Sequence, residues 1–231
     1  RVVYWKSGFN YSALNNFGFT FAKGDYILCL NNDVTVITPD WLERMIGQCQ
    51  RKEVGIVGAR LLYEDDTIQH AGVVIGFGGV AGHTFIGLHE AENSYFHRAM
   101  CAQDYSAVTA ACLMVKKSVF EEVGGLTEEL AVAFNDVDFC LRVREAGYRI
   151  VWTPYAQLTH YESKSRGGDE KDPVKARRFA SEQQRLYDVH GKANILDDPY
   201  YNPNLTRDRE DFSESDDLRS LKEGRVSVRW R

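Results

Sequence analysis

The stretch Gly24-Asp25-Tyr26-Ile27-Leu28-Cys29-Leu30-Asn31-Asn32-Asp33 decides the predicted fold. Its apolar run from Tyr26 to Leu30 is too short for a helix and predicts a buried central strand that is covered on both faces. The polarity changes directly after this run to two amides and a carboxylate. Because ligands of open α/β sheets bind beyond the carboxyl ends of the strands, Asn31, Asn32 and Asp33 are candidate ligands at a cleft. A strand followed by an ordinary polar turn explains the same residues.

The composition limits the class of protein. The chain has 231 residues, of which 44% are hydrophobic, and this suffices for one substantial core or for a core with a small appendage. A net charge of -5 argues against a nucleic-acid partner, because such proteins usually carry a basic face. No apolar run approaches the roughly 20 residues that cross a bilayer. The scattered cysteines, without a close CxxC pair, predict buried thiols in a reducing compartment, namely Cys29, Cys49, Cys112 and Cys140.

The N-terminal residues predict a β-α-β unit that leads into the central strand. Arg1 to Trp5 have the character of a strand, and Ala13 to Ala22 have helical spacing. Ser12 is the expected N-cap of that helix, and Gly24 is expected to end it. Such a unit implies a parallel strand pair with a right-handed crossover. Because the sequence starts directly with a strand, we expect that an earlier part of the domain is missing from it.

Residues Phe134 to Arg142 are the second stretch with candidate chemistry. Their pattern predicts a helix that ends at Gly147. Asp136 lies at the helix N-terminus, where free N–H groups stabilise a carboxylate, so a capping role without catalysis is an alternative. Carboxylates two residues apart point in different directions from a helix. We therefore expect Asp136 to face a cleft and Asp138 to pair with Arg142.

Other segments carry weaker signals. A helix with Asp40 as its expected cap is predicted from the apolar stripe of Trp41, Leu42, Met45, Ile46 and Cys49. A short helix is predicted from Ser118-Val119-Phe120-Glu121, which has the spacing of a capping box. A strand is predicted from Tyr148 to Thr153, ended by Pro154, and His160 follows it in a stretch rich in side chains that bind anions or metals. The glycine-rich residues from Gly76 to His83 match neither phosphate-binding loop motif, so they predict a turn or a lid. Three histidines lack the spacing of metal ligands and are predicted to be surface or loop residues, namely His83, His89 and His97.

The C-terminal part of the chain divides into a helix and a polar segment. Asp172-Pro173 opens a long helix to His190, which Gly191 ends. We predict one domain over residues 1–193 and a polar C-terminal extension over residues 194–231.

The motifs taken together resemble the family 2 glycosyltransferases, in particular their rhamnosyltransferase-like branch. The resemblance covers about residues 1–206. It implies an α/β domain with the GT-A fold, which is a Rossmann-like, mostly parallel sheet flanked by helices. The segments that carry it are Asn10-Tyr11-Ser12, Asn15-Asn16, Ala22-Lys23-Gly24-Asp25-Tyr26, Leu30-Asn31-Asn32-Asp33, Pro39-Asp40-Trp41-Leu42, Gly124-Gly125-Leu126-Thr127-Glu128, Asn135-Asp136-Val137-Asp138, His160 and Asp198-Pro199-Tyr200-Tyr201-Asn202-Pro203.

The resemblance also implies roles for individual residues. Asn31-Asn32-Asp33 matches the DXD-type site, with Asn31 in place of its first aspartate, and Asp33 and His160 are the implied metal ligands. Asn135-Asp136 matches the ED motif, with Asn135 in place of the glutamate and Asp136 as the catalytic base. The implied donor-binding residues are Asn15, Asn16, Gly24, Asn31, Asn32, Asp33 and Arg166. The implied acceptor-binding residues are Thr109, Asn135, Asp136 and Glu162.

The implied reaction moves a sugar, with inversion, from a UDP- or dTDP-sugar to a hydroxyl of a saccharide or lipid-linked acceptor in cell-surface polysaccharide synthesis. A divalent cation, Mn²⁺ or Mg²⁺, neutralises the diphosphate leaving group, and a base receives the hydroxyl proton. The resemblance implies a cytoplasmic location, with peripheral membrane association at the inner face. The family's first strand and the acidic residue that holds the nucleotide base have no counterpart, which again predicts an N-terminally truncated domain.

Two other classes of protein fit parts of the pattern. A non-catalytic nucleotide- or sugar-binding half of a larger protein would explain the missing base pocket. A glycosidase could use Asp33 and Asp136 as a pair of carboxylates. Dependence on a nucleotide-activated sugar separates a transferase from a glycosidase, because a glycosidase needs only water as the second substrate.

Overall fold

The structure, a computed structural model, describes residues 2–161, 172–210 and 212–216. Both strands and helices occur along these ranges, as in an α/β protein. The strands are β1 Tyr26–Leu30, β2 Val34–Val36, β3 Val54–Leu62, β4 Ile68–His70, β5 Val73–Ile75, β6 Ala81–His83, β7 Gln103–Asp104, β8 Cys112–Lys116 and β9 Arg149–His160. The α-helices are α1 Tyr11–Phe19, α2 Trp41–Cys49, α3 Lys117–Glu122, α4 Asn135–Glu145, α5 Pro173–His190 and α6 Lys192–Ile195.

Seven strands form one mixed sheet with the order β1-β8-β3-β9-β2, in which β4 adds to β3 and β7 adds to β9. The pair β3–β9 is parallel, whereas β1, β2 and β8 pair with their neighbours in antiparallel fashion. The prediction of a mostly parallel sheet is therefore wrong for the part of the chain that the structure describes. The strand after the first helix was predicted correctly, but β1 lies at one end of this order and pairs with β8.

The prediction that β1 is covered on both faces is correct except at its last residue. Ile27 and Cys29 pack in the cluster that contains Trp152, and Tyr26 and Leu28 pack against the cluster that contains Met45. Leu30 is 42% exposed, and β1 lies at the edge of the described sheet and not at its centre as predicted.

The N-terminal strand of the predicted β-α-β unit is not formed. Residues 2–6 have no regular secondary structure, and Trp5 instead packs on Phe17 of α1 with ring centroids 5.5 Å apart. Helix α1 begins one residue before Ser12, and Asn10 caps it by accepting a hydrogen bond from the Ala13 amide at 2.9 Å. Ser12 donates to the carbonyl of Leu130 instead, which ties α1 to the loop before α4.

Two apolar clusters fill the two faces of the sheet. Helix α2 covers one face, where Met45 packs among side chains of β3 and β9 such as Leu61 and Leu158. The other face buries Trp152 of β9 and Phe139 of α4. The four cysteines predicted to be buried are buried, and they are free thiols.

Strand β9 is twice as long as predicted, because Pro154 interrupts its pairing without ending it. Thr153 pairs with Ala59 of β3, and Gln157 pairs with the next residue of β3, Arg60. Three residues of β9 therefore bulge out between these two pairs. Proline lacks the N–H of a sheet hydrogen bond, so a bulge is where a strand accommodates it. The strand continues to His160 and delivers that side chain to the end of the sheet.

Other elements agree with the sequence except at their ends. Helix α2 has the predicted bounds, but the Asp40 side chain binds Arg44 and makes no capping hydrogen bond. Helix α3 begins at Lys117, ahead of the predicted capping residue Ser118. The glycine-rich stretch after Gly76 forms a turn within the β5–β6 hairpin.

The described part of the predicted C-terminal extension packs against the rest of the chain. Tyr201, Leu205 and Phe212 are buried in the same cluster as Trp152. The carboxylate of Asp198 is also buried and accepts hydrogen bonds from the amide of Ile75 at 2.7 Å and from the hydroxyl of Ser106 at 2.8 Å. Within the described ranges, no helix combines the length and the apolar character that crossing a membrane requires.

Candidate active site

Pairing of β2 with β9 brings Asp33 and His160 together at one end of the sheet. Val34 is the register partner of His160, and the Tyr161 amide donates to the Asp33 carbonyl at 2.9 Å. The Nε2 atom of His160 consequently lies 3.2 Å from the Oδ1 atom of Asp33. The same Nε2 atom lies 3.2 Å from the side-chain nitrogen of Asn31.

The Oδ1 atom of Asp33 is buried and has no hydrogen-bond partner among the described residues. A buried carboxylate oxygen without a donor is costly, so this atom indicates a place for a cation. One carboxylate and one imidazole are a small ligand set, and the described ranges contain no group of three or more His, Cys, Asp or Glu that could hold a metal. Mg²⁺-type sites commonly take one or two carboxylates from the protein and complete their shell with substrate phosphates and water. The residues present therefore fit such a cation together with a diphosphate.

Asp136 lies in the first turn of α4 and is partly exposed. Its Oδ1 atom accepts from the Val137 amide at 2.9 Å, and its Oδ2 atom accepts from the Ala110 amide at 3.1 Å. Burial raises the pKa of Cys29 to about 11, and the charge of Asp136 adds to this effect. Burial likewise raises the pKa of Tyr11, with contributions from Cys29 and Asp136. Both neighbours are uncharged at neutral pH, so neither adds a negative charge beside the carboxylate.

The segment from Thr109 to Ala111 connects the two ends of the site. The carbonyl of Ala111 accepts a hydrogen bond from the amide of Asn31 at 3.0 Å, and the amide of the preceding residue is the donor to Asp136. The Thr109 amide lies 3.5 Å from the Nε2 atom of buried His70. Candidate residues that are about 100 positions apart in sequence thus meet on one piece of backbone.

The other predicted site residues have partners within the fold, and their binding roles stay predictions. In α1, Asn15 donates to the carbonyl of Tyr11, and Asn16 both donates to and accepts from the backbone of Leu126. Buried Asn135 donates to the carbonyl of Val132.

The remaining predicted residues lie in three different settings. Gly24 precedes β1 in the chain and Asn32 follows it, and both residues are exposed. Thr109 is partly buried. Glu162 and Arg166, which the resemblance assigns to acceptor and donor binding, lie outside the described residues.

The structure confirms that Asp138 pairs with Arg142, at 2.8 Å. Asp138 also accepts from Thr127 and lies 2.8 Å from the Nε2 atom of His190. Burial raises the pKa of Asp138, but the hydrogen bond to His190 and the charge of Arg142 outweigh burial and lower it overall. Burial lowers the pKa of His190, but its hydrogen bonds to Asp138 and Glu145 outweigh burial and raise it overall.

Two buried residues near the site were not predicted. Glu182 of α5 accepts from the amides of Val132 at 3.1 Å and Ala133 at 2.7 Å, and so holds the loop that leads into α4. Gln69 of β4 places its Oε1 atom 2.6 Å from the Nδ1 atom of His160. Each contact joins residues that are about 50 or more positions apart, so no local spacing pattern indicated them.

Of the three histidines predicted to be surface or loop residues, His89 and His97 are exposed, whereas His83 is partly buried and lies in β6. The Nδ1 atom of His83 lies 3.1 Å from the carbonyl of Gln69, and its ring packs against that of His70. The Nδ1 atom of His89 accepts from the amide of Ala91. His97 lies in a short 3-10 turn after β6.

The sheet, with its Asp33–His160 end, has the architecture of a GT-A domain. Residues 1–124 match the family described as Glycosyl transferase family 2, and the chain belongs to that family. The solved structure of GalNAc-T7 with UDP, GalNAc and Mn²⁺ superposes with a TM-score of 0.57 and 10% identity, over 78% of this chain and 34% of that one. This likeness confirms the GT-A fold.

Two longer relatives are similar in sequence. The uncharacterized protein y4gI of Sinorhizobium fredii is 53% identical over 217 residues, which are 92% of this chain and 23% of that protein. The O-antigen biosynthesis protein RfbC of Myxococcus xanthus is 39% identical over 203 residues, which are 87% of this chain and 16% of that protein. The chain thus spans less than a quarter of the length of either relative.

Proposed function

We propose that this chain carries an inverting, metal-dependent glycosyltransferase site that moves a sugar from a nucleotide-diphosphate donor to a hydroxyl group. The observation that carries the proposal is the buried Oδ1 atom of Asp33, which lacks a hydrogen-bond donor among the described residues and faces the Nε2 atom of His160. A carboxylate oxygen without a donor that lies beside an imidazole nitrogen suits a divalent cation.

Asp33 and His160 would hold the cation at the end of the sheet. When bound, a cation such as Mn²⁺ or Mg²⁺ acts as a Lewis acid that neutralises the charge of a diphosphate leaving group. Asn31 offers a side-chain amide beside His160, where the family motif has a second carboxylate. The site therefore carries less negative charge than a two-carboxylate site and leaves more of the neutralisation to the diphosphate itself.

Asp136 would act as the base. The acceptor hydroxyl forms a bond to the anomeric carbon, the bond from that carbon to the diphosphate oxygen breaks, and the hydroxyl proton passes to the carboxylate. Each oxygen of Asp136 receives one backbone N–H, and a carboxylate oxygen has a second lone pair that can take this proton. The two backbone donors orient the carboxylate, which is what a general base requires.

The proposal also gives the chemical classes of the donor and the acceptor. We infer a UDP- or dTDP-sugar as the donor and a saccharide or lipid-linked acceptor. The relative RfbC is described as an O-antigen biosynthesis protein, and this supports cell-surface polysaccharide as the product class.

Calorimetric titration of UDP, with and without Mn²⁺, tests the metal end of the site. In Asp33→Ala, we expect the Mn²⁺-dependent part of the UDP affinity to disappear while the thermal unfolding temperature stays close to that of the wild type. Asp25→Ala is the matched control, because Asp25 is an exposed aspartate before the other end of β1. Equal Mn²⁺-dependent affinity in Asp33→Ala and wild type would remove Asp33 from the site.

A transfer assay separates a transferase from a glycosidase. We expect release of the nucleotide diphosphate from a nucleotide sugar to depend on an added acceptor. Hydrolysis of a simple glycoside by water, without any nucleotide, would contradict the proposal.

A further inference from the structure

Gln69 contacts the proposed metal ligand from the side away from Asp33. It is 3% exposed, and His160 is 7% exposed, so water does not compete freely for their contact. The Oε1 atom of Gln69 lies 2.6 Å from Nδ1 of His160, and the Nε2 atom of Gln69 donates to the backbone carbonyl of His160 at 3.3 Å. The side chain therefore holds both the ring and the main chain of one residue.

These two contacts determine which ring nitrogen of His160 carries the proton. A carbonyl oxygen only accepts hydrogen bonds, so the Gln69 NH₂ group must face the His160 carbonyl. The Gln69 oxygen consequently faces Nδ1, and because that oxygen also only accepts, Nδ1 must carry the proton. In a neutral imidazole, the other nitrogen then carries the lone pair, and the side-chain NH₂ group of Asn31 donates to it at 3.2 Å. That nitrogen, Nε2, is the atom that faces Asp33.

In the Nε2–H tautomer, the His160 ring would offer no lone pair to a cation. Its proton would lie near the Oδ1 atom of Asp33, which is 3.2 Å from Nε2, and the negative charge of that carboxylate would favour it there. Gln69 and Asp33 thus compete for the single proton of the His160 ring.

We propose that Gln69 is a positioning residue that keeps His160 in the Nδ1–H tautomer, and so keeps the Nε2 lone pair available to a divalent cation, which would displace the Asn31 amide from it. This inference rests on the proposed metal site and extends it to β4. Hydrogen bonds to the second nitrogen of metal-binding histidines are known to fix the ring and its tautomer.

The backbone around Gln69 makes the restraint rigid. Ile68 and His70, its two neighbours in β4, pair with residues of β3. The Nδ1 atom of His83 lies 3.1 Å from the Gln69 carbonyl, which anchors the same residue from β6. The backbone at Gln69 is therefore fixed by contacts that do not involve its side chain or His160.

The tautomer can be measured directly in the metal-free protein. Nitrogen-15 spectra of histidine-labelled protein at about pH 8.5, where neutral imidazole predominates, distinguish Nδ1–H from Nε2–H. We expect the Nδ1–H form of His160 in the wild type and a shift to the Nε2–H form in Gln69→Leu. The same variant should bind Mn²⁺ in the presence of UDP about 10- to 100-fold more weakly, as is usual when such a second contact is lost.

Two further variants make the comparison specific. Gln69→Glu keeps an oxygen that accepts the hydrogen bond from Nδ1–H, so it should retain the wild-type tautomer and an affinity within a few-fold of the wild type. Gln157→Leu is the matched control. Gln157 is a partly buried glutamine of β9 that donates to the carbonyl of Pro154, and its loss should leave both measurements unchanged.

The outcomes distinguish this inference from the proposed function. A folded Gln69→Leu protein that keeps the Nδ1–H form, or that binds Mn²⁺ as tightly as the wild type, overturns the role of Gln69. If Gln69→Leu does not fold, Gln69→Met, which keeps the side-chain length without the amide, takes its place. If the wild type binds no Mn²⁺, the proposed function fails, but the tautomer comparison still decides whether Gln69 fixes the His160 ring.

Discussion

Ala110 and Asp136 are joined by a 3.1 Å hydrogen bond from the backbone N–H of the first to the Oδ2 atom of the second. This bond fixes the carboxylate relative to the segment from Thr109 to Ala111. The carbonyl of Ala111 in the same segment accepts a hydrogen bond from the amide of Asn31. The metal end and the base end of the site are thus held together by main-chain bonds of one short segment. A change to the Asp136 side chain therefore alters both the chemistry and one of the two bonds that hold the ends of the site together.

Asp136→Asn should reduce sugar transfer by roughly two to four orders of magnitude, which is the usual contribution of a general base. The amide has one acceptor oxygen, so its NH₂ group must face either the Ala110 or the Val137 N–H. We expect a loss of about 1–3 kcal/mol in the free energy of unfolding from that mismatch. Steady-state kinetics and urea unfolding measure the two effects. Transfer within a few-fold of the wild type would leave Asp136 with a purely structural role.

Glu182→Gln should loosen the loop before α4. A glutamine offers one acceptor to the two amides that the carboxylate now receives, and its NH₂ group would face the other N–H. We expect a loss of about 1–3 kcal/mol in unfolding free energy and faster hydrogen exchange at Val132 and Ala133.

The control for Glu182 is Glu129→Gln. Glu129 forms an exposed ion pair with Arg185 of the same helix, at 3.7 Å, and such pairs contribute little. Unchanged hydrogen exchange at both amides in Glu182→Gln would contradict the role assigned to its carboxylate.

The contact between His190 and Asp138 should make stability depend on pH in a defined direction. A raised histidine pKa adds stability below the unfolded value of about 6.5, and this is lost as the pH rises through the folded pKa. A lowered aspartate pKa adds stability above the unfolded value of about 3.9, and this is lost as the pH falls through the folded pKa. The directions of the two shifts thus place the largest contribution between about pH 4 and about pH 6.5.

Urea unfolding of the wild type and of His190→Gln tests this dependence. The difference in unfolding free energy between them should be larger at about pH 5.5 than at about pH 9. His89→Gln, at an exposed histidine, is the control and should show little change at either pH. A difference that grows as the pH rises would show that the sign is wrong.

Gly72→Ala should be strongly destabilising for two separable reasons. Gly72 has a φ of +102°, and an added Cβ atom would lie 2.4 Å from the ring of Tyr105, which is fully buried. Gly87 has a φ of +76° with no heavy atom within 4 Å of the same added atom. Gly87→Ala should therefore lose only the about 1–2 kcal/mol of unfolding free energy that a positive φ costs a residue with a Cβ atom. Gly72→Ala should lose roughly 1–3 kcal/mol more, because its Cβ atom also clashes with Tyr105. Equal losses in urea unfolding would contradict the steric contribution of Tyr105.

The sequence allowed correct prediction of features that depend on local patterns. The apolar run from Tyr26 to Leu30, the stripe of α2, and the Pro173 and Gly191 boundaries of α5 all became the predicted elements. The pairing of Asp138 with Arg142 was also predictable, because residues four apart on a helix are neighbours. Asp33, Asp136 and His160 could be singled out because each follows a predicted strand or opens a helix.

Features that depend on partners distant in the chain were not predictable. The edge position of β1 depends on its pairing with β8, which is more than 80 residues away. The length of β9 was underestimated, because Pro154 ends most strands and only the pairing with β3 shows that this strand resumes. Gln69 had no signal at all, since its role depends on a ring that is 91 positions away.

The bulge in β9 makes the direction of the His160 side chain depend on the number of residues before it. Trp152 and Leu158 are both even-numbered, yet they pack into clusters on opposite faces of the sheet. Side chains alternate with a period of two, so the odd number of extra residues between Thr153 and Gln157 accounts for this switch. A slip of one residue in the pairing of the segment after the bulge would turn His160 to the opposite face. Such a slip would leave every residue of the site in the chain and still disable the site.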